Sequence, residues 1–318
     1  MPRSVVVFSR DEAKQHYMRL AYEQRPTATD EVAFDDWRRV LNFHIGDVGD
    51  ETSVRSVLQN ADVVFNAAAM KQVPTCEYFP YQAVRTNILG AEHIVRVIRQ
   101  HQLPVSTVVG ISTDKACKPV NVMGMTKAIQ ERVFIQANLD CGSTRFVAAR
   151  YGNVLASRGS VIPLFLDQIA KGGPVTLTTL DMTRFLMDLD QAVDTIFAAL
   201  AEAAPGEIYV PRVPSARMAD IAAVMVGGRD IDVVVTGIRP GEKLHETLVS
   251  EEESPRTVTR GAYLAIQPML PELRHIRAGD VPMESTAYSS SDNLLDADRI
   301  VALLRAANLM PATTPSAP

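Results

Sequence analysis

A carboxylate and an amine stand side by side at Asp114 and Lys115, directly behind the hydroxyl of Thr113, and a second amine follows at Lys127. Adjacent groups of this kind make a general acid and a general base once burial and neighbouring charge tune them. A lone Asp-Lys pair is usually a solvated turn, so position decides its weight. These residues close a run of strand-formers at 106–112 and precede a helix that begins near Asn121. On that helix Met123 and Lys127 form an i, i+4 pair and share one face. Met123 stands in the turn where a phenol would transfer a proton, and a thioether neither ionises nor donates.

The elements that must hold these groups alternate in type. Strand-like apolar runs occupy 4–9, 41–45, 62–69, 106–112 and 144–151, and the stretches from Ala83 and from Thr126 carry apolar residues at helical spacing. Continuous Val, Ile and Phe content fits strands covered on both faces. The pattern predicts an α/β chain: a Rossmann-like, doubly wound parallel sheet over residues 1–150, then a smaller C-terminal substrate lobe over 151–308. The Pro-rich end, 309–318, is expected to be a disordered tail.

Ligands of such sheets bind beyond the carboxyl ends of the strands. At the first strand's end stand Ser9, Arg10 and Lys14. An arginine with small polar neighbours suits a ribose 2'-phosphate, which favours NADP over NAD, although Ser9 also reads as a helix cap. Asp47 and Val48 end the next strand, where an acid can meet an adenine amino group and a valine its ring; a plain helix cap is the alternative. Ala67, Ala68 and Ala69, with Lys71 close behind, let backbone approach a flat cofactor without obstruction. In the second half Arg150, Asn153 and Arg158, and then Arg239 and Glu242, lie in or beside loops, and arginine forks suit pyrophosphate and ribose. Alone, each would be a solvated loop residue.

Composition narrows the classes. The chain has 318 residues and a formal net charge of -5, which leaves no electrostatic footprint for nucleic acid or an anionic membrane. Cys76, Cys117 and Cys141 are scattered and without metal-ligand spacing, which argues for a reducing compartment and no metal. Cys117 near the Asp-Lys pair has no histidine beside it to activate it as a nucleophile. No signal-peptide or membrane-spanning pattern occurs, so the cytoplasm is expected.

Taken together, "FSRDEAKQ", "IGDV", "AAAMKQVP", "STDKA", "RYGNVLASRGSVIPLF", "MTRF", "RPGEKLHE" and "YSSSDN" closely resemble bacterial UDP-N-acetylglucosamine 4,6-dehydratases, extended short-chain dehydrogenase/reductases of surface-glycan assembly. The resemblance runs from Val5 to Leu304. It implies a bound NADP, a UDP-sugar substrate and a homo-oligomer. The implied chemistry oxidises the sugar C4 hydroxyl, loses water across C5 and C6, and returns the hydride to C6. On matching positions, Lys115 would take the C5 proton, Asp114 would protonate the departing C6 hydroxyl, Lys127 would hold the nicotinamide ribose, and Thr113 would bond the sugar near C4. Arg150, Asn153, Arg158, Arg239 and Glu242 would hold the UDP-sugar. With Met123 in the tyrosine position the chain is similar to a Met-x-x-x-Lys branch, and Asp114, Lys127 or a water would relieve C4 of its proton.

A second departure concerns the cofactor. Families of this kind open with a strand and a Gly-rich turn, whereas this sequence starts where a second strand is expected and contains no G-x-G-x-x-G. The absent strand is expected between 4–9 and 106–112. Two rival readings follow: a UDP-sugar 4-epimerase, which returns hydride to C4 without losing water, and an inactive nucleotide-fold protein with an assembly or regulatory role.

Overall fold

The computed structural model describes residues 2–23, 37–155, 160–275 and 277–311. Its strands are β1 (Val5–Ser9), β2 (Leu41–Ile45), β3 (Val63–Asn66), β4 (Thr107–Thr113), β5 (Arg145–Tyr151), β6 (Asn153–Val154), β7 (Val175–Leu177), β8 (Thr183–Met187), β9 (Ile208–Pro211), β10 (Ser215–Arg217), β11 (Val233–Val235), β12 (Thr247–Val249), β13 (Thr257–Arg260), β14 (Tyr263–Ile266), β15 (Val281–Pro282) and β16 (Tyr288–Ser289). The longer helices are α1 (Glu12–Glu23), α2 (Glu51–Leu58), α3 (Gly90–His101), α4 (Val122–Asp140), α5 (Val161–Ala170), α6 (Leu189–Glu202), α7 (Met218–Val226) and α8 (Ala297–Ala306).

The main sheet runs β3-β4-β5-β9-β14-β13-β15, with β3 to β9 parallel and the last three strands antiparallel. β4 lies between β3 and β5, and both of its faces are covered. On one side Val108 packs with Val97 and Ile98 of α3 and Phe134 of α4; on the other Val109 packs with Ala199 of α6 and with Tyr209. Full burial of one such aliphatic side chain contributes roughly 1.5–3 kcal/mol. That packing fixes the strand whose carboxyl end carries Thr113.

β1 and β2 form a parallel pair of their own, hydrogen-bonded to no strand of the main sheet. Phe8 and Val48 hold the pair against the helix layer that also receives Val64 of β3. β3 is thus one edge strand of the main sheet, and β15 is the other. The sequence expectation put the missing strand beside 106–112, but β3 occupies that place, so an inserted strand would have to pair with β3.

Two boundaries also differ from expectation. Strands β9, β14, β13 and β15 come from beyond residue 150 yet complete the main sheet, so the fold does not divide its elements there. Parallel β9 is reached through α6, a crossover that residue pattern did not separate from the loops around it. The tail does not start at 309: Leu309 is buried in the cluster built by α5, α7 and α8, and Met310 packs against it. In the second half β8 joins β10 and β6 in a small sheet, and β12 pairs with β16.

Candidate active site

Past Thr113 the chain turns through one 3-10 turn, Asp114–Ala116, and the Thr113 hydroxyl accepts from the Lys115 N–H at 3.4 Å. The same hydroxyl donates to Asp114 Oδ1 at 2.9 Å, and Lys115 Nζ donates to that oxygen at 3.0 Å. Asp114 is fully buried, whereas the Lys115 side chain is 25% exposed. Asp114 Oδ2 has no hydrogen-bond partner, and a Cβ on Gly152 would stand 3.4 Å from it. The sequence-predicted trio is therefore one hydrogen-bonded unit at a strand end.

Glu246, which sequence reasoning passed over, completes this unit. It is buried, and its Oε1 lies 3.5 Å from Lys115 Nζ and 4.0 Å from Arg184 Nε. Burial pulls the Lys115 pKa down, but Asp114 and Glu246 together outweigh burial and the repulsion of Arg184, and leave it above the ordinary lysine value. Lys115 rests as an ammonium. Only a tertiary contact across the chain brings Glu246 here, and no spacing in the sequence announces it.

Three later motifs converge to hold that contact. Arg184 of β8 donates to the carbonyl oxygens of Thr183, Leu244 and Lys243. The Thr183 hydroxyl meets His245 Nδ1 at 2.8 Å and Ser290 Oγ at 2.7 Å, and Ser290 Oγ accepts the Glu246 N–H at 2.9 Å. Asn121 closes the other side: its Oδ1 caps α4 at the Gly124 N–H, and its Nδ2 donates to the Gly241 carbonyl at 2.8 Å. Gly241 has φ of +80°, a backbone that favours glycine in this loop.

Lys127 is buried one turn further along α4. Its ammonium donates to the Ile111 carbonyl and to Gln130 Oε1 at 2.6 Å. Burial draws its pKa down to about 8, against the pull of Glu131. Met123 does not share that surrounding, as i, i+4 spacing suggested; it is buried with Cys76 and Ala83, with Met70, Val73 and Val122 packed around them. Asn87, also missed in the sequence, lies in a π-helical segment, Val84–Leu89. It binds both the N–H and the carbonyl of Met70 and donates to Thr126 Oγ1 at 2.9 Å, which pins the Ala67–Ala69 segment to α4.

At the ends of β1 and β2, Arg10 pairs with Asp47 at 3.2 Å and Lys14 with Asp11 at 2.8 Å, the cations exposed and the acids half-buried. Such surface pairs contribute only about 0–1 kcal/mol and yield readily to a phosphate. The Ser9 hydroxyl accepts the Asp11 N–H, and Asp50, not Asp47, caps the following helix. Val48 packs against α3: its side chain fills the space a Cβ on Gly90 would need. Ala67 and Ala69 are exposed just past β3, with Lys71 beyond them. Arg10 and Lys14 past β1, the Ala67–Ala69 segment past β3 and Lys127 on α4 are the residues that could hold a nicotinamide dinucleotide. For its pyrophosphate the sequence has no G-x-G-x-x-G turn.

The substrate-side expectations divide. Arg150 is a correction: it is 1% exposed and gives its donors to Glu131, Glu253 and the Leu248 carbonyl, so it closes a framework triad and faces no cleft. Burial alone would raise the Glu253 carboxyl, but Arg150 holds it down at about 2. Asn153 is half-buried on β6; Arg239 is exposed and its N–H donates to Glu242 at 3.4 Å. Arg158 lies outside the described residues. Burial pushes the Cys117 thiol up to about 12, which leaves no thiolate nucleophile.

Residues 1–268 match the family described as polysaccharide biosynthesis protein. The chain belongs to that family. This polysaccharide biosynthesis protein is 46% identical over 224 residues, 67% of each chain, to an uncharacterized membrane protein of Methanocaldococcus jannaschii. Among its own described residues no helix is long and apolar enough to cross a membrane. It is 39% identical over 268 residues, 83% of its length and 74% of the relative's, to a UDP-glucose 4-epimerase of Rickettsia akari. The structure of Pen from Bacillus thuringiensis superposes with a TM-score of 0.86 at 32% identity, over 97% of this chain and 91% of that one. A dTDP-glucose 4,6-dehydratase from Streptomyces venezuelae shares the Rossmann-like fold, with a TM-score of 0.63 at 18% identity over 95% and 97% of the two chains.

Proposed function

We propose that this protein is an NADP-dependent 4,6-dehydratase of UDP-N-acetylglucosamine, working as a homo-oligomer in surface-glycan assembly. The observation that carries the reading is the direct hydrogen bond between Lys115 Nζ and Asp114 Oδ1. Elimination needs a base for the C5 proton and an acid for the departing C6 hydroxyl. The resting pair has the opposite protonation, ammonium and carboxylate. One proton passing along the 3.0 Å bond from Nζ to Oδ1 produces both species at once: a neutral amine and a carboxylic acid. The amine then takes the C5 proton, and the acid protonates the hydroxyl at C6 as water leaves.

The residues present suit a nicotinamide cofactor, with Arg10 and Lys14 for a 2'-phosphate, Asp47 at the adenosine side and Lys127 for the nicotinamide ribose. When bound, that group would supply the hydride exchange at C4 and C6. Lys127, with its pKa near 8, is able to relieve the C4 hydroxyl of its proton at neutral to mildly basic pH, where Met123 cannot. Thr113 would bond the sugar near C4, and Asn153, Arg239 and Glu242, with Arg158, are proposed at the UDP-sugar.

A UDP-sugar 4-epimerase is the second reading, favoured by the Rickettsia relatives that bear that name. It needs no acid at C6, and so gives the Asp114–Lys115 pair no task. Incubation with UDP-N-acetylglucosamine and NADP+, followed by mass spectrometry of the nucleotide-sugar, separates the two. A product lighter by one water supports the dehydratase; an unchanged mass with inverted C4 supports the epimerase.

A further inference from the structure

Carboxylates buried for framework reasons are satisfied, as Glu131 and Glu253 are by the arginine fork between them. Glu246 is different. Three cations surround it, with Lys115 Nζ at 3.5 Å, Lys243 Nζ at 3.9 Å and Arg184 Nε at 4.0 Å, yet it closes tightly on none of them. Lys243 sends its ammonium to the Cys117 carbonyl at 2.6 Å, and Arg184 sends its guanidinium to backbone carbonyls. Glu246 Oε2 is left without a hydrogen bond, as is Asp114 Oδ2. Lys115 thus has a buried carboxylate on either side, each with one unpartnered oxygen, and it is the cation that both approach most closely.

We infer that Glu246 is a positioning residue that acts through Lys115: it holds the ammonium between two carboxylates and favours its proton on Lys115 until Asp114 takes it. The inference rests on the dehydratase reading for its consequence in catalysis, but its physical content is the ionisation of Lys115. The groups facing that amine are Asp114 from its own turn, Glu246 from the loop before β12 and Arg184 from β8. Asp114 and Glu246 favour the charged form and Arg184 opposes it, so loss of the Glu246 charge must make Lys115 more acidic. A merely structural defect that opened the site to water would bring Lys115 down no further than an ordinary lysine, and only as the fold fails.

The test is competitive acetylation of Lys115 across pH, read by mass spectrometry, in the wild-type protein and in Glu246→Gln and Glu246→Asp. The Gln variant is expected to titrate about one unit lower, which appears as roughly tenfold faster labelling at a fixed pH below the midpoint. The Asp variant keeps the charge one methylene further back and should fall between. With UDP-N-acetylglucosamine the basic limb of the kcat profile, where the pair loses the one proton it shares, should move down in the Gln variant and less in the Asp variant. An unchanged Lys115 midpoint in a folded Gln variant overturns the inference; should that variant not fold, an unchanged midpoint in the Asp variant does so. Labelling requires no turnover. A shifted midpoint without any reaction on the UDP-sugar would therefore refute the proposed function and uphold the role of Glu246.

Discussion

Gly124, in the first turn of α4, lies against the carbonyl of Lys115 so closely that a Cβ there would overlap the carbonyl oxygen and carbon. The helix that carries Lys127 and the turn that carries the acid–base pair are in backbone contact, with no side chain between them. Alanine at an ordinary helical site would gain up to ~1 kcal/mol over glycine. Here the steric conflict should win: Gly124→Ala is expected to lower stability by roughly 1–3 kcal/mol. Thermal unfolding reads that change, and turnover should fall further than unfolding alone explains because the 3-10 turn moves.

Lys127 gives a stability change with a defined sign. Its pKa is about 8 in the fold against 10.5 for an ordinary lysine. Below about pH 8 both states are protonated, and the buried ammonium opposes folding by roughly 3 kcal/mol before its hydrogen bonds are counted. Between about pH 8 and pH 10.5 the unfolded chain holds more protons, so stability rises with pH. Melting curves of wild type and Lys127→Met should show the wild type gaining on the variant across that window. A constant difference would mean that Lys127 is not buried as a charge.

Arg150 separates framework from ligand binding. Arg150→Met leaves Glu131 and Glu253 buried without the guanidinium that joins them, with Arg256 still 3.7 Å from Glu253, and about 3–5 kcal/mol of stability should be lost at neutral pH. Glu253 contributes stability above its ordinary value of 4.5 that disappears as pH falls through about 2, so the gap between wild type and variant should narrow over that interval. Denaturant titrations at several pH values check this. Calorimetric affinity for a UDP-sugar at low temperature should be unchanged; a large loss would return Arg150 to the substrate site.

Met123 should tolerate replacement by leucine. Its thioether is packed with Cys76 and Ala83, and Met-to-Leu exchanges in cores usually change stability by less than about 1.5 kcal/mol. Turnover should persist. Met123→Tyr, in contrast, is expected to lower the melting temperature without raising turnover, because its hydroxyl would enter an apolar cluster; a faster Tyr variant would show that position 123 does reach the sugar.

The strands β1 to β5 were legible from their continuous apolar runs, although only β4 and β5 are buried on both faces, and the site around Asp114 was legible because its residues are neighbours in sequence. Glu246, Asn87 and Arg184 were not. Each acquires its place through contacts between segments far apart in the chain, which leave no periodicity behind. Arg150 misled for the same reason: an arginine after a strand reads as a ligand fork until Glu131 and Glu253 are seen around it. The β9 to β15 half of the sheet was hidden because short strands joined by loops give weak alternation.

The central claim is that Lys115 and Asp114 exchange protons at C5 and C6 of a nucleotide-sugar. Turnover of UDP-N-acetylglucosamine in deuterium oxide tests it most directly, with the product read by mass and by proton NMR. The account predicts a sugar that has lost one water and carries deuterium at C5, with both changes abolished in Lys115→Gln and Asp114→Asn. A product with hydrogen retained at C5, or full turnover by the Asp114→Asn protein, would contradict it.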